Sequence, residues 1–451
     1  MKIGPGTLGV IVAVALAAAA LGYFAGTREQ PPPATASAPA AVKSPVVPAA
    51  ESTPAAASQS ASSPAVQADP HASLPHGVLP GGPASPFNAS SPAPNLPPPQ
   101  AGRAHIAAGV DPQAKFTHFR VGQRNVKQIM SDGDLMWVGT SGGVIRYNLQ
   151  TDEYRLFDLR SGLLANGIFH IGKLDDRIVV GTYGGGMAVY DDAADSWKNY
   201  NIPQGLGDAF IYDVLQTGTG DVWVATWSGA NLVAGGQLDD RDKWQLFTVA
   251  STQGGLPNDW VYALAEGING EVWFATEGGL ARYHEGRWSN WNHEDGLGAP
   301  YELVKEQIQF ANDPAQYSQH HSRQKQEMGL QDVDVAFNPN YIVALHVAAD
   351  GSVWAGTWGG GLAHFDGRQW QNFTADDGLP GNHVFSLHGD GGGRLWVGTN
   401  NGLARFEGDG FRVYTVADGL FSNIVFSMET APDGSAWVGS FGGVARIARL
   451  D

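Results

Sequence analysis

The chain has 451 residues, no cysteine and a formal net charge of −17. The lack of cysteine excludes disulfides and cysteine-ligated metal sites, and the acidity disfavours nucleic-acid binding, because phosphate contacts need a basic face. Residues 106–451 hold 23 Lys and Arg against 41 Asp and Glu, and they hold all 14 Trp. The negative charge therefore lies in the part that we predict to be globular. No cofactor is predicted.

The first 30 residues contain one apolar run, residues 8–26, that carries no charge. Its 19 residues can span a bilayer as a helix, and Lys2 before it favours a cytoplasmic amino terminus. The small residues 17–20 offer the cleavage sites of a secretory signal as an alternative. We predict that residues 1–30 are a transmembrane anchor or a signal peptide. The first places residues 106–451 in the periplasm, tethered to the inner membrane, and the second secretes them.

A segment rich in Pro, Ala and Ser follows, and residues 31–105 contain 18 of the chain's 27 prolines. This composition cannot bury enough apolar surface to offset its ordering entropy. Proline keeps such a segment extended, at about 3.1 Å per residue. We predict that residues 31–105 are a disordered linker.

Residues 106–451 contain an internal repeat built around a W-V-G-T step. Successive steps lie 42, 44, 50, 81, 42 and 41 residues apart, and the interval of 81 holds one ordinary unit plus an insertion. Each unit has four short strand-like runs separated by Gly, Asp and Asn turn signals. Four antiparallel strands about every 40 residues are the pattern of a β-propeller blade. The steps begin at Trp137, Val179, Trp223, Trp273, Trp354, Trp396 and Trp437.

The last unit reaches only three strands before Asp451, whereas a spare strand-like run, residues 114–121, precedes the first unit. Placing this run on the last unit would complete it and close the ring by backbone pairing. We therefore predict an all-β fold, a seven-bladed β-propeller of four-stranded blades closed by an N-terminal outer strand. A count of six blades plus an unrelated segment is the alternative, but it leaves one W-V-G-T step unused.

Two of the units resemble a known repeat. The stretches "GLPGNHVFSLHGDGGGRLWVGTNNGLARF" and "GLPNDWVYALAEGINGEVWFATEGGLARY" look like the two-component regulator propeller repeat. In that family the propellers usually form the periplasmic sensor half of hybrid histidine kinases. The resemblance implies an exported recognition propeller, and it does not imply kinase activity in this chain. A weaker similarity links the repeats to seven-bladed lyases that cleave streptogramin antibiotics.

The repeat order also predicts which residues share one face of the ring. The turn after each G-T step and the residue before each first strand lie at the channel mouth, and many of these residues are aromatic. Exposed aromatic side chains on a concave face suit stacking on sugars, peptides or aromatic rings. Packing of these rings on neighbouring turns is the alternative. The predicted ligand-binding residues are Tyr183, Trp227, Trp260, Glu277, Trp358, His383, Asn400 and Phe441.

An insertion, residues 299–340, falls in a connection on this same face. Its first part has helical spacing, and a loop of this length is usually functional or mobile. We expect a partly helical lid or docking element, with a neutral insertion as the alternative. Adjacent His320 and His321 diverge on a helix, so a metal site there is disfavoured. His346 and His388 share one position of the repeat and are expected to form a packed pair.

These observations leave three functions open. The first is a recognition module whose ligand is a small molecule, a glycan or a peptide. The second is a periplasmic scaffold that docks a protein partner through the insertion. The third is a metal-dependent lyase or hydrolase, which rests only on the clustered histidines and a possible lid. We favour the first, because of the aromatic face, the tether and the family resemblance. No motif of a known active site is present, and we predict no catalytic residue.

Overall fold

The computed structural model describes residues 101–103, 114–308, 325–326, 330–333 and 335–450. The predicted membrane segment at residues 8–26, nearly all of the predicted linker, and His320 and His321 lie outside this range. No helix within the described residues is long and apolar enough to cross a membrane.

The described residues are mainly β-strands, which we number in chain order. The strands are β1 (Ala101–Arg103), β2 (Phe116–Asp132), β3 (Leu135–Thr140), β4 (Gly143–Asn148), β5 (Glu153–Phe157), β6 (Ile168–Leu174), β7 (Arg177–Thr182), β8 (Met187–Asp191), β9 (Ser196–Tyr200), β10 (Ile211–Gln216), β11 (Val222–Thr226), β12 (Gly229–Val233), β13 (Trp244–Phe247), β14 (Val261–Glu266), β15 (Val272–Thr276), β16 (Gly279–His284), β17 (Arg287–Trp291), β18 (Asn338–Val347), β19 (Val353–Trp358), β20 (Leu362–Phe365), β21 (Trp370–Phe373), β22 (Val384–Gly389), β23 (Leu395–Thr399), β24 (Gly402–Phe406), β25 (Phe411–Tyr414), β26 (Ser427–Thr430), β27 (Ala436–Gly439) and β28 (Phe441–Ile447).

The predicted count of seven separate four-stranded blades is wrong. In the described residues the structure has five four-stranded blades, β6–β9, β10–β13, β14–β17, β18–β21 and β22–β25, each antiparallel and in chain order. The other strands form one eight-stranded sheet in the order β1-β5-β4-β3-β2-β28-β27-β26. Strand β1 falls inside the segment predicted as a linker and pairs with β5.

The eight-stranded sheet exists because β2 runs for 17 residues without a break. Its first part pairs with β28, where Phe116 lies opposite Ile447. Its second part pairs with β3, from Val126 opposite Thr140 onwards. The prediction of a separate outer strand at residues 114–121 is therefore only half right. These residues do pair with the last strand, but the same strand continues into the next set of strands, so hydrogen bonding joins the two groups.

The W-V-G-T step is explained by close packing between neighbouring sheets. A Cβ on Gly398 would lie 2.2 Å from Oγ of Ser386, on the paired strand, and 2.8 Å from Cγ1 of Val425, in the next repeat unit, so a side chain at this position would force its neighbours to shift. The hydroxyl of Thr399 is buried and donates to the carbonyl of Gly402 at 2.9 Å, which fixes the turn between β23 and β24. Gly and Thr of the step are therefore structural.

Short helices connect many of the strands. At Ala375–Asp377 the side chain of Thr374 caps the first turn, Gly378 ends the helix with a left-handed backbone, and Leu379 is buried. The repeated D-G-L sequence is thus a helix end followed by a core anchor. Among the described residues, 3-10 helices span Leu159–Ser161, Ile202–Gln204, Ala234–Gly236, Arg241–Lys243, His293–Asp295, Ala375–Asp377 and Val416–Asp418, and an α-helix, α1, spans Tyr301–Val304.

An arginine recurs in the third strand of several units and has a structural contact, as its repetition indicates. In each case its guanidinium lies over the Trp opposite it on the neighbouring strand, 5.5–5.9 Å from the ring centroid. This geometry is a cation–π contact that also covers the tryptophan ring. The pairs are Arg146 with Trp137, Arg282 with Trp273, Arg405 with Trp396 and Arg446 with Trp437.

Candidate functional site

The innermost strand of nearly every unit contains a β-bulge at the same place. In β22, for example, the pairing with β23 shifts between Val384 and Ser386, which leaves Phe385 outside the ladder. A bulge turns the extra residue away from the regular alternation of the strand. The shifts occur at the corresponding positions of β2, β6, β10, β14, β18 and β22, and the extra residues are Lys127, Phe169, Tyr212, Tyr262, Val343 and Phe385.

These bulges place a series of aromatic side chains around the ring axis, which we call the collar. The centroids of neighbouring rings in the series are 4.7–5.7 Å apart, so the rings touch in tilted and edge-on contacts. Tyr341 and Trp358 fill the place where the bulge residue is a valine. In order of contact, the collar is Phe169, Tyr212, Tyr262, Tyr341, Trp358, Phe385 and Phe426.

The collar lines a cavity of about 280 Å³ between the innermost strands. The other apolar residues of its wall are Ala263, Val343, Ala344, Leu345 and Leu387. This volume is near the lower end of the range for small-molecule sites, roughly 300–1,000 Å³, and such sites are mostly apolar with a few placed polar groups. The cavity therefore has the size and the chemistry of a site for a small ligand.

Five polar residues, Lys127, Gln128, His170, Asp213 and Ser386, reach the cavity wall. Nδ1 of His170 lies 2.7 Å from Oδ1 of Asp213, so the two side chains pair across β6 and β10. The lysine differs. Its Nζ lies 4.5 Å from the ring centroid of Phe426, and burial lowers the Lys127 pKa to about 8.

A buried carboxylate, that of Glu277, contacts the collar. Tyr262 Oη donates to Oε2 of the fully buried Glu277 at 3.1 Å. Burial, and then the nearby Glu277 carboxylate, raise the pKa values of Tyr262 and Tyr341 well above the usual tyrosine range. Both phenols therefore stay protonated at any physiological pH, and Glu277 acts as an acceptor that orients Tyr262.

Three of the predicted mouth residues form an aromatic cluster beside the collar. Trp227 stacks on Trp260 at 4.9 Å between centroids and on Phe210 at 4.6 Å, and Tyr183 meets Phe210 edge-on at 4.7 Å. Tyr212 of the collar lies 6.3 Å from Trp227. We call Tyr183, Phe210, Trp227 and Trp260 the mouth cluster. Its rings are half-buried and pack on one another, so they cover one side of the collar.

The structure also locates the other predicted residues. Trp358 lines the cavity itself, and the ring of His383 meets it edge-on at 5.2 Å. The backbone N–H of His383 donates to Oδ1 of Asn400 at 3.3 Å. Phe441 begins β28 opposite Asn125, and no ring contact joins it to the other predicted residues among those described. The structure brings the predicted set together except for Phe441.

The described end of the insertion contacts this region. The carbonyl of Ala336 lies 2.7 Å from Nε2 of the buried His383, and Ala336 packs with Tyr262, Tyr341 and Trp358. Burial lowers the His383 pKa to about 4, although the Ala336 carbonyl partly opposes this. The imidazole is thus neutral at physiological pH and serves as a fixed donor to the insertion.

The predicted histidine pair lies beyond the collar, at the opposite end of the innermost strands. His346 and His388 lie opposite Trp354 and Trp396 in their ladders. Burial lowers the pKa of both, and the charge of His346 further lowers that of His388. Within the described part of the chain, no group of three or more His, Asp or Glu side chains has the arrangement of a metal site.

Sequence reasoning misses most of the collar, although its signal is in the repeat. Aligned first strands read W-V-Y-A-L-A from Trp260, H-V-F-S-L-H from His383 and I-V-F-S-M-E from Ile424. The third position is aromatic in each. In a regular strand the first and third positions face the same side. The predicted ligand-binding set includes Trp260 and His383 from the first position and no residue from the third.

Two segments, residues 255–278 and 378–401, match the sequence profile of the family described as Two component regulator propeller. They overlap the two stretches that carry the resemblance in the sequence, so this prediction is confirmed. The chain contains two-component regulator propeller repeats. Among curated proteins, none gives a significant sequence match.

Three solved structures are similar to this chain. The extracellular domain of the hybrid two component system BT3049 from B. thetaiotaomicron has a TM-score of 0.56 at 18% identity, over 74% of this chain and 41% of that one. The corresponding domain of BT4673 has a TM-score of 0.52 at 20% identity, over 74% and 39%. A catalytically inactive virginiamycin B lyase from Staphylococcus aureus, with quinupristin, has a TM-score of 0.52 at 11% identity, over 74% and 99%.

At these identities the likeness shows a shared propeller fold. The chain spans about two fifths of the length of the two extracellular domains.

Proposed function

We propose that this chain is a recognition module of the sensor type, located outside the cytoplasm, that binds a small ligand in the cavity within its collar. One observation carries the proposal: seven aromatic side chains from successive units line a single cavity of about 280 Å³. Rings that line a cavity can stack on a ligand, whereas rings packed fully on protein cannot.

Two other findings support the same function. The two-component regulator propeller repeats are consistent with a sensing role, and the extracellular domains with a similar fold are consistent with a position outside the cytoplasm. A propeller fold alone hosts many activities, so the cavity remains the main support.

The first test is a thermal-shift screen of the purified 451-residue chain against sugars, cell-wall fragments, short peptides, aromatic acids and aromatic amides. A ligand that binds only the folded chain raises the unfolding temperature. We expect at least one of these classes to do so. If no class shifts the transition, the proposal is wrong.

Matched variants then locate the binding site. Phe385→Leu removes a collar ring but keeps an apolar side chain, and Phe411→Leu makes the same change on the outer strand β25. Trp227→Ala and Trp358→Ala test the predicted mouth residues. Binding in the collar predicts that the hit is weakened by Phe385→Leu and Trp358→Ala and retained in Phe411→Leu. Equal loss in Phe385→Leu and Phe411→Leu would place the ligand elsewhere.

A further inference from the structure

The cavity wall has an unusual distribution of charge for so acidic a protein. Its charged side chains are Lys127, Asp213 and, when protonated, His170. The Asp213 carboxylate lies 2.7 Å from Nδ1 of His170 and accepts hydrogen bonds from the backbone N–H groups of Val214 and Leu264, so its contacts are with groups other than Lys127. Lys127 is thus the ammonium group of a wall whose side chains are mostly aromatic and aliphatic, inside a segment whose net charge is −18.

No carboxylate in the described residues forms an ion pair with Lys127, and no acceptor there hydrogen-bonds its Nζ. Its nearest compensation is the ring of Phe426, with Nζ 4.5 Å from the centroid. A half-buried ammonium held by one ring face has lost water without gaining an anion. The lowered pKa of Lys127, about 8, records that cost, because burial is its only cause.

The bulge at Lys127 directs this charge to the place where other units present a ring. Lys127 occupies the repeat position that is Phe169, Tyr212 or Phe385 elsewhere. The collar therefore offers the half-buried rings of Phe169, Tyr212 and Phe385 and a cation at one point.

We infer that the cavity binds a small planar anion, an aromatic or heteroaromatic carboxylate, whose ring stacks within the collar and whose charged group pairs with Lys127. This inference rests on the proposed recognition function and specifies its ligand. The cavity volume suits a molecule of roughly ten to fifteen non-hydrogen atoms. An ammonium–carboxylate hydrogen bond in a dry site is among the stronger polar contacts.

The experiment compares acids with their neutral amides on the purified 451-residue chain. The probes are 4-hydroxybenzoate with 4-hydroxybenzamide, and indole-3-acetate with indole-3-acetamide, titrated by calorimetry to about 10 mM. We expect each acid to bind about 10- to 100-fold more tightly than its amide. Lys127→Met should abolish that difference, whereas Lys115→Met, which removes an exposed lysine charge, should preserve it.

Proton uptake gives a second readout. Near pH 8 a fraction of Lys127 is neutral, so binding an anion should take up about half a proton per ligand, and affinity should fall above pH 8. The other titratable groups on this wall are Tyr212, Tyr262 and Tyr341, whose pKa values burial raises, and the pair His170 and Asp213. Lys127→Arg keeps the charge at all these pH values, so it should bind the acid without proton uptake.

The outcomes separate this inference from the proposed function. Equal affinity of acid and amide, or unchanged acid binding in a folded Lys127→Met chain, overturns the inference. So does the absence of acid binding when a sugar or peptide from the earlier screen does bind, and in that case the recognition function stands. If Lys127→Met does not fold, the proton uptake of the native chain and its loss in Lys127→Arg decide the question.

Discussion

Two sets of aromatic side chains recur in this molecule, and they differ in what covers their ring faces. The tryptophans of the W-V-G-T steps lie between sheets, and in four units an arginine of the same unit covers the ring. Five of the seven collar residues come from an equally regular position, the third of the first strand, yet the collar surrounds a cavity. Recurrence alone therefore does not separate core from site. A core ring differs from a cavity-lining ring in whether a side chain of the same repeat unit covers its face.

The largest expected difference concerns stability. Trp396 is 3% exposed and packs between sheets, so Trp396→Ala should lower the free energy of unfolding by about 3–5 kcal/mol. Phe385 borders the cavity, and Phe385→Ala should cost only about 1–2 kcal/mol. Urea denaturation followed by circular dichroism measures both. Equal losses would mean that the collar is ordinary core and would weaken the proposed site.

The glycine of the step should be nearly as intolerant. In Gly398→Ala the new Cβ would meet Val425 at 2.8 Å and its carbonyl at 2.9 Å, and such overpacking costs about 2–3 kcal/mol. Gly391 lies in a turn, and no atom lies within 4 Å of the position that a Cβ would occupy there, so Gly391→Ala should change stability by less than about 0.5 kcal/mol. Thermal unfolding of the two variants checks the contrast, and a neutral Gly398→Ala would contradict the packing account.

The carboxylates of Asp390 and Glu429 show the same difference between a group with partners and a group with few. Burial alone would raise the pKa of Asp390, but hydrogen bonds from Trp396, Arg394 and the turn backbone lower it to about 2. Glu429, on β26, has fewer partners, and burial raises its pKa to about 7. The repeat unit of Asp390 supplies hydrogen-bond donors to its carboxylate, whereas Glu429 has few donors to offset the cost of its burial.

These pKa values predict opposite effects of neutralisation. Because the folded pKa of Glu429 lies above the ordinary value, its contribution to stability is present below about pH 4.5 and is lost as the pH rises through 7. Glu429→Gln should therefore raise stability by about 2 kcal/mol at pH 8 and change it little at pH 4. Asp390→Asn should lower stability by about 2 kcal/mol at pH 7, an effect that fades below pH 3. Denaturation at each pH tests this, and a pH-independent Glu429→Gln would refute it.

The smallest expected effect comes from the arginine contacts. Arg405→Met retains the aliphatic cover over Trp396 and removes the charge, so it should cost only about 0.5–1 kcal/mol. Arg412→Met, at an exposed position of β25, provides a comparison, although Arg412 also lies over Tyr414. A loss of several kcal/mol in Arg405→Met would show that the charge, and not the cover, holds the tryptophan.

Much of the fold could be predicted because the same sequence pattern recurs in several repeat units. The W-V-G-T step, the D-G-L connection and the arginine over the tryptophan each have one physical cause that recurs in every unit that carries them. The number of blades could not be predicted in the same way. The sequence between Phe116 and Asp132 reads as two strands, and only the backbone pairing with β28 and β3 shows that it is one.

The site was predicted in part for a similar reason. Trp227, Trp260 and Trp358 lie in or beside the collar, because turn positions follow directly from strand order. Phe385 and Lys127 were missed, since a bulge changes the direction of a side chain without changing the hydrophobic pattern of the strand. Whether the predicted residues contact a ligand stays a prediction until binding is measured.

The pairing of β2 with β28 has a consequence for folding order. The contacts of β2 join segments that are far apart in the sequence. His118 of β2, for example, contacts Gly419, 301 residues later, with its Nε2 2.8 Å from the carbonyl oxygen. Closing a loop of that length costs of the order of 5 kcal/mol in chain entropy, whereas the five four-stranded blades assemble from local hairpins. During synthesis those blades can form in turn, but the eight-stranded sheet must wait for its last strands. Until they emerge, β2 presents an unpaired edge that other chains could join.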